Sequence, residues 1–163
     1  MEYQTSLASF LGRVTICFLT LSVIYLFYGP PSYEDLELLN VFTYLLVIPL
    51  ILIPISILLC LFIGIPIRSI SKIQKWWHER PYFALAGIII GLTLCLLSRA
   101  SNFIEFETVY IGHEKSTIQV PNLNLLSTGW FILAFSILHL YPEALSRFIK
   151  KKLGSKTWDE NPS

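Results

Sequence analysis

Residues 38–67 read LLNVFTYLLVIPLILIPISILLCLFIGIPI and contain no charged side chain. A helix needs about 20 apolar residues to cross a bilayer core about 30 Å thick, and this run exceeds that length. Pro49, Pro54 and Pro66 interrupt the run, and each removes a backbone donor and crowds the preceding turn. The stretch therefore predicts a membrane protein with a long, kinked or tilted span over 41–66.

The rest of the chain agrees with this assignment. Its 163 residues include only 14% charged side chains, and the mean hydropathy is +0.62, well outside the range of soluble domains. Apolar stretches predict three further spans over 7–28, 82–98 and 125–141. We expect the first span to be retained, since no small-residue cleavage site follows it. The prediction is one all-α membrane domain, 1–163, with four transmembrane helices.

Lysine and arginine are distributed unevenly between the connecting segments, and this sets the orientation. Segment 68–81 and the tail 142–163 are basic, whereas the acidic loop 32–40 and the loop 99–124 together hold only Arg99 and Lys115 against six acids. Cytoplasmic loops carry the positive excess. We therefore expect a bacterial inner-membrane protein with both termini in the cytoplasm.

Several side chains are predicted to hold the protein at the membrane surface. Arg13 lies in the first turns of the first span, where its long side chain can reach the cytoplasmic headgroups. Segment 68–81 has apolar residues at helical spacing and predicts a basic helix lying in the interface, as does 145–153. The proposed anchors on these two helices are Trp76, Trp77, Lys150, Lys151 and Lys152.

The third span contains Gly87 and Gly91, one helical turn apart, with Ala84 one turn earlier. Small residues four apart allow two helix backbones to approach closely. This pattern predicts close helix packing, either within the chain or against a partner helix. The three cysteines, Cys17, Cys60 and Cys95, also fall in apolar stretches and are expected to be small buried side chains.

The loop after the third span has the pattern of a β-hairpin outside the bilayer. Segments 105–111 and 116–120 are rich in strand-forming residues and flank a turn at 112–115. Glu105, Glu107 and Glu114 lie in this loop and are candidates for contact with a partner. Glu105 and Glu107 could also form a metal or acid–base set with His113, but solvated hairpin charges are the simpler interpretation.

The predicted spans contain few side chains that could take part in catalysis or proton transfer. Spans two, three and four contain no Asp, Glu, Lys or Arg, the residues that mark proton relays and catalytic sites in membranes. His139, near the end of the fourth span, is expected to cap the helix or form a hydrogen bond rather than to shuttle protons. We therefore expect a protein that is not an enzyme, that needs no cofactor or metal, and that does not bind nucleic acid.

Four spans with both ends inside, an acidic first outer loop and a basic middle loop resemble the four-span immunity proteins of pore-forming colicins. Asn102-Phe103-Ile104-Glu105 after the third span is similar to an Asn-aromatic-Glu stretch of that family. The proline-rich second span and the Trp76-Trp77 pair depart from the family pattern, and no functional residue is carried over. The resemblance implies a small inner-membrane protein that protects a cell from a toxin by contacting its pore domain.

Two other classes of function stay open. An accessory or assembly subunit of a larger membrane complex would have the same architecture and would copurify with a fixed partner. A channel or transporter would need a polar path through the membrane, which the scattered Ser, Thr and His139 side chains provide only in an oligomer. The leading hypothesis is recognition of a toxin by the spans and the outer hairpin, with the lipid bilayer as the surrounding partner.

Overall fold

A computed structural model describes residues 7–28, 42–111 and 114–154. The helices are α1 (Leu7–Tyr28), α2 (Ile48–Ile63), α3 (Ile65–Ser69), α4 (Ser71–Glu79), α5 (Tyr82–Leu97), α6 (Leu123–Leu138) and α7 (Pro142–Gly154). The strands β1 (Glu105–Ile111) and β2 (Glu114–Val120) stand between α5 and α6. The acidic loop 32–40 and the end of the tail, 155–163, lie outside the described residues.

Two helices, Leu7–Tyr28 and Leu45–Ile63, are long and apolar enough to cross a membrane. Two more candidates arise if each of two bent pairs is counted as one span: α4 with α5, bent by 73°, and α6 with α7, bent by 76°. The described residues therefore contain between two and four candidate spans. The fold class is that of a mostly helical membrane protein with one small sheet.

The proline-rich run is divided at two points. A π-helical turn, Thr43–Val47, precedes α2, just before Pro49, which has no N–H to bond the carbonyl of Leu45. The far end of α2 stops at Ile63, and α3 begins beyond Gly64 with Pro66 in its first turn. The expected span over 41–66 is therefore a π-turn, a helix and the start of a second short helix.

The predicted hairpin is confirmed, with a different boundary. β1 and β2 pair antiparallel over seven residues each, from Glu105 opposite Val120 to Ile111 opposite Glu114. The second strand thus begins at Glu114, two residues before the predicted start, because pairing continues to the end of β1. Only Gly112 and His113 separate the strands, and both lie outside the described residues.

The core forms around α6, which contacts α1, α2 and α5. Seven residues of α6 are buried, more than in any other described helix. Each of the three surrounding helices also places one cysteine against it: the Sγ atoms of Cys17, Cys60 and Cys95 lie 3.8, 3.8 and 4.0 Å from carbonyl oxygens of α6. All three cysteines are free and buried, as predicted. A small side chain at these positions lets the outer helices approach α6 closely.

The outward faces of the same helices are apolar. On α1 the exposed large apolar side chains are Leu7, Leu11, Ile16, Leu19, Val23, Leu26 and Phe27, and on α2 they include Leu50, Ile51, Ile55, Leu58 and Phe62. Water would penalise so much exposed apolar surface, whereas lipid chains solvate it. The outer surface of the bundle is therefore suited to lipid rather than to water.

Candidate functional site

Gly87 and Gly91 lie in the contact between α5 and α6. A Cβ atom built on Gly91 would lie 2.8 Å from the backbone nitrogen of Leu133 and 2.9 Å from the carbonyl oxygen of Gly129, and one built on Gly87 would collide with Ser136 Oγ. Gly129 faces Gly91 in return, since its own Cβ would lie 2.7 Å from the Gly91 carbonyl oxygen. This small-residue stripe is filled by the chain itself, so it is not open to another helix.

A half-enclosed cavity of about 370 Å³ opens between α1, α2 and α6, at the end where the hairpin joins α6. Trp130 lines this cavity, and its indole N–H donates to Ser56 Oγ at 3.0 Å. Ser56 Oγ in turn donates to the Leu52 carbonyl at 2.8 Å. With these polar groups paired, the lining offers mainly apolar and aromatic surface. The other lining residues are Ile24, Tyr25, Tyr28, Leu123, Asn124, Leu126, Ser127 and Phe131.

Glu105 is fixed at the base of the hairpin. Its Oε1 accepts from Asn122 Nδ2 at 2.6 Å, and Asn122 Oδ1 caps α6 by accepting from the Leu125 N–H at 2.9 Å. Asn122 also donates its backbone N–H to the Ser98 carbonyl, at 2.9 Å, which joins both ends of the hairpin to the helix ends. Glu105 therefore helps to hold the hairpin against the start of α6, and it is also a candidate for contact with a partner.

Strand register relates the other two glutamates to Glu105. Glu107 is two residues along β1, and Glu114 pairs with Ile111, six residues along. Residues two apart on a strand share a face, and so do directly opposed residues on neighbouring strands. Positions 105, 107 and 114 thus fall on one face of the ribbon. His113, the third residue of the possible metal or acid–base set with Glu105 and Glu107, lies outside the described residues.

Arg13 is placed differently from its prediction as a headgroup anchor. Its side chain is 5% exposed, and it donates from Nη1 to the Leu138 carbonyl at 3.1 Å and from Nε to the Ser9 carbonyl at 3.2 Å. The guanidinium also lies 4.6 Å from the ring centre of Tyr141. The last carbonyls of a helix lack intrahelical partners and carry partial negative charge, so Arg13 turns inward to cap α6 instead of outward to lipid.

Trp77 caps the same helix end. Its indole N–H donates to the His139 carbonyl at 2.8 Å, and its ring meets Phe135 edge-on at 6.1 Å. Arg13, Arg68, Trp77, His139 and Tyr141 together form what we call the α6 end cluster. It brings α1, α3, α4 and the α6–α7 junction to one point, whereas the sequence suggested only separate anchors.

His139 is fully buried in this cluster. Its Nδ1 lies 2.8 Å from the Phe135 carbonyl, which makes Nδ1 the protonated nitrogen and Nε2 an acceptor. The ring presses on Gly64: a Cβ built there would collide with Nε2 and Cε1 of the imidazole. The helix cap expected at His139 is present, and Gly64 is the residue that makes room for it.

Replacing Gly64 with alanine should destabilise the protein by about 2 kcal/mol, because the methyl group forces the buried imidazole out of its position. Gly12→Ala is the matched control, since nothing lies within 4 Å of a Cβ at Gly12 and alanine favours the helix by about 0.5–1 kcal/mol. Thermal unfolding in a mild detergent measures both variants. Equal melting temperatures for the two variants would contradict this packing.

The predicted interfacial helices α4 and α7 lie side by side at this end of the bundle. Trp76 is exposed and lies between Arg80, 5.0 Å away over its ring, and Phe83, stacked at 5.3 Å. The ring of His78 lies 4.0 Å from that of Tyr141 and is tilted by 30° against it; burial lowers the pKa of its imidazole. Lys150 is exposed on α7, and Lys151 and Lys152 follow it in the same helix.

Within the ranges that the structure describes, no group of three His, Cys, Asp or Glu side chains is arranged to hold a metal ion. Sequence reasoning missed Gly64, Arg68, Asn122 and Gly129. Asn122 had a usable signal, because asparagine directly before an apolar run is a common helix N-cap. The other three act through contacts between distant segments. Comparison with protein-family models, with curated proteins and with solved structures finds no match for this chain.

Proposed function

We propose that this protein is a four-span bacterial inner-membrane protein that acts by recognising another membrane-embedded protein, most concretely as immunity against a pore-forming toxin. The toxin would be met inside the bilayer and at the outer hairpin. No chemical step is assigned. The observation that carries the proposal is the aromatic cavity between α1, α2 and α6, which is preformed and lies beside the acidic hairpin.

The four-span topology is part of the proposal. α5 and α6 have 16 residues each and therefore rise about 24 Å, less than a typical core of about 30 Å. The helices α4 and α7, bent away from them at one end, suit the interface and would shorten the required span. The basic segments 68–81 and 142–163 favour the cytoplasm for this end, which puts the hairpin outside.

The cavity suits a side chain from a partner helix. Binding hot spots are large side chains that enter well-packed, desolvated pockets, and this pocket holds about 370 Å³. The acidic positions of the adjoining hairpin, 105, 107 and 114, would attract a cationic loop of a toxin. Docking on the Gly87–Gly91 stripe is replaced by docking at this cavity, because α6 already fills the stripe.

The experiment is a protection assay. Sensitive bacteria expressing the protein are challenged with a panel of pore-forming bacteriocins, including any encoded beside its own gene, and a voltage-sensitive dye reports membrane potential. Potential should be retained for one member of the panel. Ser127→Trp, which fills the cavity, should abolish protection, whereas Thr128→Trp, exposed on the next position, should preserve it.

Membrane levels of both variants are compared by immunoblot, so that loss of protein is not mistaken for loss of recognition. Collapse of the potential in every challenge, at normal protein levels, would contradict immunity. In that case copurification of a fixed membrane partner in mild detergent would favour the accessory-subunit function instead.

A further inference from the structure

The α6 end cluster contains two guanidinium groups. Arg13 and Arg68 come from α1 and α3 and lie close enough for their charges to interact. Arg13 bonds two backbone carbonyls, and Arg68 lies 5.1 Å over the ring of Phe10. Across ranges 7–28, 42–111 and 114–154, neither group forms an ion pair. The two like charges disfavour each other where they are partly shielded from water.

Arg68 has a second unusual feature. Its Nη2 atom is buried and donates to no acceptor among the described residues. The neighbouring His139, fully buried, has Nε2 without a partner in the same set, and the charge of Arg68 reaches it. Buried charged donors without acceptors are costly, so Arg68 Nη2 marks a place where an anionic acceptor would stabilise the protein.

We propose that Arg68, supported by Arg13, binds the phosphate group of an anionic phospholipid from the inner leaflet. The planar guanidinium matches two phosphate oxygens at once, and a bound phosphate would neutralise the repulsion between the two arginines. Arg68 is only partly buried, and binding requires its guanidinium to turn so that the buried Nη2 reaches a headgroup. The inference goes beyond the proposed function and depends only on the orientation that puts α3 at the cytoplasmic face.

A lipid fits better than a free phosphate because the surroundings of Arg68 are apolar. Ile65 and Ile70 flank it along the chain and are 46% and 48% exposed, and the half-buried Phe10 lies beneath it. These side chains would contact the glycerol backbone and the first methylene groups of a lipid. The cytoplasmic leaflet also carries the anionic lipids that attract basic side chains.

The test uses the full-length protein in a neutral detergent. Phosphatidylglycerol, phosphatidylcholine or inorganic phosphate is added, and the melting temperature and the lipid retained in native mass spectrometry are recorded. We expect phosphatidylglycerol to raise the melting temperature saturably, and the other two to have no such effect. Arg68→Gln should weaken the apparent affinity for phosphatidylglycerol about tenfold, because it removes about one charge-assisted hydrogen bond.

Lys75→Gln is the matched control, an exposed cation at the same end of the molecule, and it should leave the affinity unchanged. Arg68→Lys keeps the positive charge but loses the planar pair of N–H donors. Its affinity for phosphatidylglycerol should lie between those of the wild type and Arg68→Gln. Native mass spectra count lipids on folded protein only, so a fraction of misfolded variant does not mimic weak binding.

Three results would overturn the proposal. Equal stabilisation by phosphatidylglycerol and phosphatidylcholine would remove the role of charge. Equal weakening by Arg68→Gln and Lys75→Gln would reduce the effect to general surface electrostatics. Saturable stabilisation by inorganic phosphate would identify a soluble ligand instead of a lipid. Because the readout is lipid binding, its failure is distinct from failure of the protection assay.

Discussion

Replacing Gly91 with alanine should destabilise the protein by about 3 kcal/mol, because the methyl group has no space between two helix backbones. Its Cβ would lie 2.8 Å from Leu133 N and 2.9 Å from the Gly129 carbonyl oxygen. Backbone atoms cannot rotate away as a side chain can, so α5 must move off α6. Helix association in membranes depends on such close packing, and the whole length of the contact would loosen.

Thermal unfolding in detergent measures this change, with Ile89→Ala as the control. Ile89 lies two residues away on α5 but is 66% exposed on the outward face. Its truncation removes more atoms than Gly91→Ala adds, yet should change stability by less than about 0.5 kcal/mol. A Gly91→Ala protein as stable as Ile89→Ala would show that α5 and α6 are not in close contact.

Arg13→Met should cost about 2–3 kcal/mol, the range for a buried hydrogen bond made by a charged group. Methionine keeps an unbranched apolar chain but leaves the Leu138 carbonyl without its donor. The loss separates the start of α1 from the end of α6, so the unfolding of α1 should become less cooperative. Hydrogen exchange at residues 7–13, compared with wild type, locates the effect.

Arg99→Met is the matched control for Arg13→Met. Arg99 also donates from Nη1 to a distant carbonyl, that of Phe27, at 3.0 Å, but it is exposed at the other end of the bundle. Water replaces such a donor, so its loss should cost about 1 kcal/mol or less. Equal costs for the two substitutions would mean that the Arg13 guanidinium is not held inside the bundle and reaches the headgroups, as the sequence predicts.

Hydrophobic patterning predicted much of the fold because it depends on local composition. The apolar stretch around Leu45–Ile63 indicated a membrane helix, and the structure contains a helix there that is long and apolar enough to cross a membrane. The strand-forming residues near Glu105–Ile111 indicated a strand, and the hairpin is present. Both signals lie within a single element, where side-chain periodicity follows directly from backbone geometry.

The identity of the central helix could not be predicted in this way. The most apolar run forms α2, yet the other helices pack around α6, which contains Ser127, Thr128, Gly129 and Ser136. In a membrane the most apolar helix is well solvated by lipid, while small and weakly polar residues favour helix contacts. The hydropathy of a helix therefore does not tell whether it lies at the centre of the bundle.

The α6 end cluster could not be predicted from the sequence for a different reason. Arg13 and Leu138 are 125 residues apart in the sequence, and Gly64 and His139 are also far apart along the chain. Each of these residues has an ordinary local explanation as an anchor, a helix break or a cap. Only the tertiary contacts show that a single helix end is capped by side chains from α1 and α4.

Crossing of the bilayer by α5 and α6 is the claim on which the proposed topology depends most. Ser71→Cys, Ser101→Cys and Ser146→Cys each place one new thiol at an exposed position: before α5, between α5 and β1, and in α7. The native cysteines are at most 2% exposed and should give little background. A membrane-impermeant maleimide applied to intact spheroplasts should label the new thiol at position 101 alone, and those at positions 71 and 146 only after lysis. Labelling of all three positions from the same side would show that α5 and α6 do not span the membrane, and would contradict the four-span topology.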